Sequence, residues 1–206
     1  MTNEIQLRQS KYLELFNDYA LKRFNELGAD NVLLPAMKYS FFAGGKRIRP
    51  LLAFASNETV NGDIDRLMPF AFALECIHTY SLIHDDLPAM DNDDFRRGKP
   101  TSHKVYGEAM AILAGDALLN FAFSVVLQEC VLYQDKNTAI CAKLLADYAG
   151  FEGMIGGQAV DVLSERDGKG NADTLEYIEH NKTGKLIAAA MIMPYILSSK
   201  NTDKQK

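Results

Sequence analysis

Apolar residues that return every three to four positions constrain this chain more than any other feature. Leu67, Phe70, Leu74, Ile77 and Leu82, with Ser81 on the same stripe, follow the helical repeat. Alternating strand-like runs bounded by Asn-Gly turns are missing, so the expected fold class is all-α. Breakers at Gly28, Gly44 and Gly45, Asn61 and Gly62, Pro88, Gly98 with Pro100, and Asp167 to Gly170 divide the chain into about eight helices of roughly 10 to 25 residues. With 206 residues, 48% of them apolar and 24% charged, one compact helical domain over 1–206 is expected, ending in a polar tail at 198–206.

Charge and composition remove several function classes. Lys plus Arg is 22 against 27 for Asp plus Glu, and the net charge of -5 argues against a nucleic-acid binder, which needs a basic face. The N-terminus lacks the basic start, short apolar core and cleavage site of a signal peptide, so a cytoplasmic protein is expected. Cys76, Cys130 and Cys141 are odd in number and widely spaced, matching neither a zinc site nor a disulfide framework, and are expected to be free buried thiols. The apolar stretches at 109–127 and 186–197 are interrupted by Asp116 and Asn120 or too short, so no membrane span is expected. The stretch at 186–197 is apolar nearly all round, as in a helix with partners on every side, yet the polar residues after it supply no helix to cover it, so part of its surface is expected to lack cover.

The densest chemistry lies in HDDLPAMDNDDFRRGK, residues 84–99, with five aspartates among the ten residues from Asp85 to Asp94 and Arg96 and Arg97 directly after. Carboxylates this crowded repel one another unless cations intervene. Hard oxygen ligands suit Mg2+, which keeps waters and bridges one or two carboxylates to substrate phosphates. An EF-hand is excluded because the run does not continue into the required glycine and distal glutamate. Pro88 forces a turn after Asp86 that could carry Asp91 back towards Asp85, and His78 and Ser81 fall on the same helix face as Asp85, a polar stripe that should line a cavity.

Two cationic segments accompany it. GGKRIRP, residues 44–50, combines paired glycines with Lys46, Arg47 and Arg49, an anion site that is not a P-loop because the glycine and Ser/Thr spacing is wrong. In GGQAVD, residues 156–161, Gln158 and Asp161 share a helix face, while NKTGK, residues 181–185, adds Lys182 and Thr183. One carboxylate cluster and two cationic clusters on an apolar helical frame point to metal-bridged diphosphate binding with two anionic substrates.

GGKRIRP, SLIHDDLPAMDNDDFRRGKPTSHKVYGE, LAGDALL, GGQAVD and NKTG occur in the order and at the approximate spacing seen in trans-polyprenyl diphosphate synthases, and the chain resembles the bacterial farnesyl diphosphate synthases most. The resemblance implies an isoprenoid-synthase-type helical bundle around a central cavity, usually a homodimer, that condenses isopentenyl diphosphate with an allylic diphosphate using Mg2+, or Mn2+ in its place. It implies that Lys46, Arg49, His78 and Arg97 hold isopentenyl diphosphate, and that Asp85 and Asp91, with Asp86 behind them, ligate the metal. Arg96 and Lys182 would hold the allylic diphosphate, Thr183 would stand beside the developing cation, and Gln158 and Asp161 would form cavity wall. Tyr80 and Ser81 would be the floor that limits chain length. A ring five residues before Asp85, about 7.5 Å along the axis, favours the fifteen-carbon product, with the twenty-carbon product of a geranylgeranyl synthase as the alternative. Family members run to nearly three hundred residues, and no second DDxxD follows Lys185 here. The bundle is therefore expected to be incomplete at its C-terminal side and these 206 residues alone to be inactive or nearly so; a non-catalytic subunit of a heteromeric synthase is the remaining alternative.

Overall fold

The computed structural model describes residues 2–168 and 170–199. Ten α-helices dominate: α1 Thr2–Asn25, α2 Leu34–Phe41, α3 Ile48–Thr59, α4 Ile64–Asp85, α5 Ser102–Tyr106, α6 Glu108–Tyr133, α7 Lys136–Ala149, α8 Met154–Asp167, α9 Ala172–Ile178 and α10 Lys185–Ser198. A π-helical turn, Glu179–Gly184, joins α9 to α10. The all-α expectation holds, and the count among the described residues rises from about eight to ten, with breaks that the breakers named above do not mark at Gly107 and at two further places. One is at Asp135, which caps α7 by accepting from the Thr138 amide; the other is at Gly150 to Gly153.

The expected absence of strands needs correction. Phe95–Arg96 (β1) and Lys99–Pro100 (β2) pair antiparallel, Phe95 opposite Pro100 and Arg96 opposite Lys99. The two residues between them, Arg97 and Gly98, both have positive φ, 54° and 75°. That is the backbone of a type I′ hairpin turn, here built on Arg-Gly in place of Asn-Gly.

The chain divides into two compact units. The first comprises Met1–Leu51 and Phe72–Ser124, and its interior is aromatic. Phe24 meets Phe41, Phe42, Phe72 and Phe121 at ring-centroid distances of 5.0, 5.6, 5.8 and 5.8 Å, mostly edge to face, an arrangement worth about 0.5–1.5 kcal/mol per pair beyond the area buried. The same interior fixes the ends of α2 and of the segment 72–85, which carry the polar residues described below.

The second unit comprises Leu52–Ala71 and Val125–Lys206. Helix α7 packs on α10: Asn137 Nδ2 donates to the Ser199 carbonyl at 2.6 Å, and Cys141 Sγ to the Met193 carbonyl at 3.6 Å. Arg66 bonds Asp135 and, at 2.8 Å, Thr138 Oγ1, tying the cap and first turn of α7 to the start of α4. Helix α8 packs against α9 and the π-helical turn.

Four further expectations meet the structure here. Helix α10 is buried along one stripe, Leu186, Ala189, Ala190, Met193 and Leu197, with Met191 and Tyr195 exposed, so it is not covered on every side. The polar tail begins inside α10 at Ser198, and residues 200–206 lie outside the described residues. Among the thiols Cys76 and Cys141 are buried, whereas Cys130 is half-buried. Helix α6, at 26 residues, is longer than the apolar stretch suggested and reaches the length and hydropathy that could cross a membrane. Its buried residues, Ala111, Ala114, Gly115, Leu118, Phe121, Ala122, Val125 and Val126, recur every three to four positions, as in a helix packed on one side.

Candidate functional site

In the first unit, GGKRIRP forms the turn between α2 and α3. Gly44 and Gly45 have φ of 98° and 119°, and a Cβ at Gly45 would run into the Arg97 guanidinium. The backbone conformation is what requires glycine at 45, and the Arg97 guanidinium lies against the space its missing Cβ leaves. Arg97 NH1 donates to the Gly44 carbonyl from the hairpin tip. Arg47 and Arg97 both take left-handed backbone, φ 48° and 54°, conformations that cost a non-glycine residue about 1–2 kcal/mol each and persist only where surroundings enforce them.

Around this turn lies a cavity of about 580 Å³ lined by Lys46, Arg47, Arg49, Glu75, His78 and Arg97 with the loop backbone. The structure therefore brings Lys46, Arg49, His78 and Arg97, the four residues singled out in sequence, to one place. Lys46 and Arg97 are exposed, Arg49 and His78 half-buried. Burial, then the field of Arg49, Arg97, Arg47 and Arg96, pushes His78 down to about 3, so its imidazole is neutral at pH 7. Burial also lowers Arg49 and Arg97, and Glu75 acts against it in both.

Glu75 is the residue the sequence reading missed. It sits at 2% exposure inside the apolar run FALECIHT and pairs with Arg47, NH1 to Oε1 at 2.7 Å. A carboxylate within an otherwise apolar helix, three residues before His78, was the signal available.

The acidic run begins where α4 ends at Asp85. The Asp91 amide donates to the Asp85 carbonyl at 2.9 Å, so the turn at Pro88 does return Asp91 to Asp85. Asp86 points inward, buried, and takes two bonds from Arg96, Nε at 2.6 Å and NH2 at 2.5 Å. Burial raises the Asp86 carboxyl while Arg96 pulls it back; burial would lower Arg96, but Asp86, with Asp85 and Asp93, holds it above its ordinary value. Lys104 pairs with Asp94 at 2.7 Å, and Thr101 Oγ1 donates to the Asp93 carbonyl at 2.8 Å. The crowding expected of five aspartates is thus relieved by Arg96 and Lys104 as well as by any metal.

Among the described residues no three His, Cys, Asp or Glu side chains gather at metal-binding distance. Asp85, half-buried, and Asp91, exposed, nevertheless fit an ion that takes one or two carboxylates and completes its shell with water and phosphate oxygens. Asp86 fits less well, since its carboxylate is engaged by Arg96.

Tyr80 is buried, its hydroxyl has no hydrogen-bond partner among the described residues, and burial pushes it up to about 12. Its ring meets His84 edge-on at 5.7 Å. Ser81 is half-buried and donates back to the His78 carbonyl at 2.9 Å.

In the second unit, Lys182 Nζ pairs with Asp161 Oδ2 at 2.6 Å, both half-buried. Lys182 stands on the π-helical turn, a widened turn often found at functional sites. Gly157 lets α8 approach it: a Cβ there would meet the Lys182 amide nitrogen. Asn181 is buried with Nδ2 donating to the Tyr177 carbonyl at 2.9 Å, Thr183 is exposed, and Gln158 half-buried. The sequence showed the charges of Asp161 and Lys182 but not their pairing, which depends on a π-turn that no spacing rule foresees.

Comparison with known proteins bears on the family. The family model for polyprenyl synthetase matches residues 30–206. A farnesyl diphosphate synthase from Geobacillus stearothermophilus is 50% identical over 177 residues, 82% of this chain and 57% of that protein. A geranylgeranyl diphosphate synthase from Cyanophora paradoxa is 47% identical over 176 residues, 83% of this chain and 57% of that one. The crystal structure of a geranyltransferase from Legionella pneumophila superposes with a TM-score of 0.92 at 36% identity, covering 98% of this chain and 72% of that chain. The chain spans about half the length of the curated relatives it matches. With the ordered motifs, the helical architecture and the family match all in agreement, the chain belongs to the polyprenyl synthetase family.

Proposed function

We propose that this protein is a prenyltransferase of the cytosol, acting as a homodimer, that condenses isopentenyl diphosphate with an allylic diphosphate to give farnesyl diphosphate. The observation that carries the reading is the cavity in which Lys46, Arg49, His78 and Arg97 converge on the paired-glycine turn. Three cations and a neutral imidazole offer donors to a diphosphate. Loop amides of the paired-glycine turn add backbone donors.

Arg96 and Lys182 are each parked on a carboxylate, Asp86 and Asp161. Each is thereby held in a defined place within its own unit, which lowers the ordering cost of the role that the family resemblance assigns to it, holding the allylic diphosphate. Thr183, exposed on the π-turn, would offer a hydroxyl dipole to positive charge developing on the allylic carbon. Asp85 and Asp91 would hold Mg2+, which supplies charge neutralisation of the leaving diphosphate. The proton lost after condensation would pass to the released diphosphate. Gln158 and Asp161 are assigned to the cavity wall.

The buried Tyr80 ring favours the fifteen-carbon product. The geranylgeranyl synthase among the relatives keeps the twenty-carbon product as the second reading. The test is titration of isopentenyl diphosphate into the purified chain, together with incorporation of the labelled compound onto geranyl diphosphate with Mg2+. Saturable binding that Lys46→Ala weakens at least tenfold is expected, while turnover by these 206 residues is expected to be little or none; any labelled product should carry fifteen carbons and be lost in Asp85→Ala. Absence of isopentenyl diphosphate binding by the folded protein would overturn the reading.

A further inference from the structure

Of the three cations in GGKRIRP, Arg47 is the one turned away from solvent. It is 8% exposed, while Lys46 is exposed and Arg49 half-buried. Two of its five N–H donors are committed: NH1 to Glu75 Oε1 at 2.7 Å and NH2 to the Phe41 carbonyl at 2.5 Å, with the guanidinium over the Phe41 ring at 4.8 Å and near Phe16 at 5.9 Å. Its left-handed φ of 48° is the geometry in which the loop can send this side chain inward and its neighbours outward.

Glu75 lies three residues before His78 on α4, so one helix face carries both. It is the one carboxylate lining the cavity, and its Oε2 is buried without a hydrogen-bond partner among the described residues. An acid in a cavity for anions weakens the anion by simple electrostatics, so its presence there calls for another role. We propose that Arg47 and Glu75 are positioning residues, a buried strut that ties the paired-glycine loop to the helix bearing His78 and so presents Lys46 and Arg49 to a diphosphate, Arg47 itself touching no substrate.

The inference rests on reading the cavity as a diphosphate site. Its test is calorimetric titration of inorganic pyrophosphate, without metal, into the full chain. Glu75→Ala is expected to weaken pyrophosphate at least tenfold although it removes a negative charge. Glu75→Gln, which still accepts from Arg47, should stay within threefold of the parent. Should Glu75→Ala not fold, the Arg47→Met/Glu75→Leu pair replaces the buried ions by apolar groups, a change that interiors tolerate well. With circular dichroism and melting temperature unchanged, that double variant should also lose at least tenfold. Tighter or unchanged binding by either variant overturns the strut alone. Absence of binding by the parent chain overturns the diphosphate reading and the strut with it.

Discussion

His78 shows how one side chain links stability to the site. Burial and four arginines hold its imidazole near 3, against about 6.5 in an unfolded chain. Between these values the unfolded state binds a proton that the folded state refuses. The neutral form therefore contributes stability above pH 6.5 that is lost progressively as pH falls towards 3. Urea unfolding between pH 7 and pH 4 should show this loss, and His78→Asn should flatten it; an unchanged slope would remove His78 as its source. Lys46, Arg49, His78, Arg97, Asp85 and Asp91 were all legible as chemistry because polar groups stood out against an apolar helical pattern. Glu75 was not, since its importance lies in a partner 28 positions away that only packing reveals.

Two elements carry predictions of their own. On α4, the Tyr80 ring lies one turn and more before Asp85, and Tyr80→Ala is expected to lengthen the product beyond fifteen carbons; chromatography showing the same product length would count against Tyr80 as the floor. On α8, Gly157→Ala places a methyl group against the backbone of the π-helical turn. Overpacking costs about 1–3 kcal/mol, more than the roughly 1 kcal/mol that alanine gains over glycine in a helix interior. The variant should therefore unfold at lower urea concentration and release Lys182 from Asp161; a higher midpoint would show that the two segments can part freely. Helix boundaries at Asn25, Thr59 and Asp85 were readable because Gly28, Asn61 and Pro88 act locally. The hairpin at 95–100 was not, because its Arg-Gly turn needs a non-glycine residue at positive φ, which its contact with the Gly44 carbonyl helps enforce.

Across the whole molecule, burial is uneven, and hydrogen exchange should follow it. The middle of α4, where Leu67 and Phe70 to Leu74 are fully buried, should exchange slowest, and α9, which buries no residue, fastest; uniform protection would contradict that gradient. The sequence by itself determined the helical class, the family and the inventory of charges, because periodicity, breakers and ordered motifs are local properties of the chain. Tertiary structure alone decided which charges line the cavity and which face each other: Arg47 on Glu75, Arg96 on Asp86, Lys182 on Asp161. A buried charge must find a counter-charge or lose the energy of its hydration, and where that partner stands is set by how helices pack, not by where they lie in the chain.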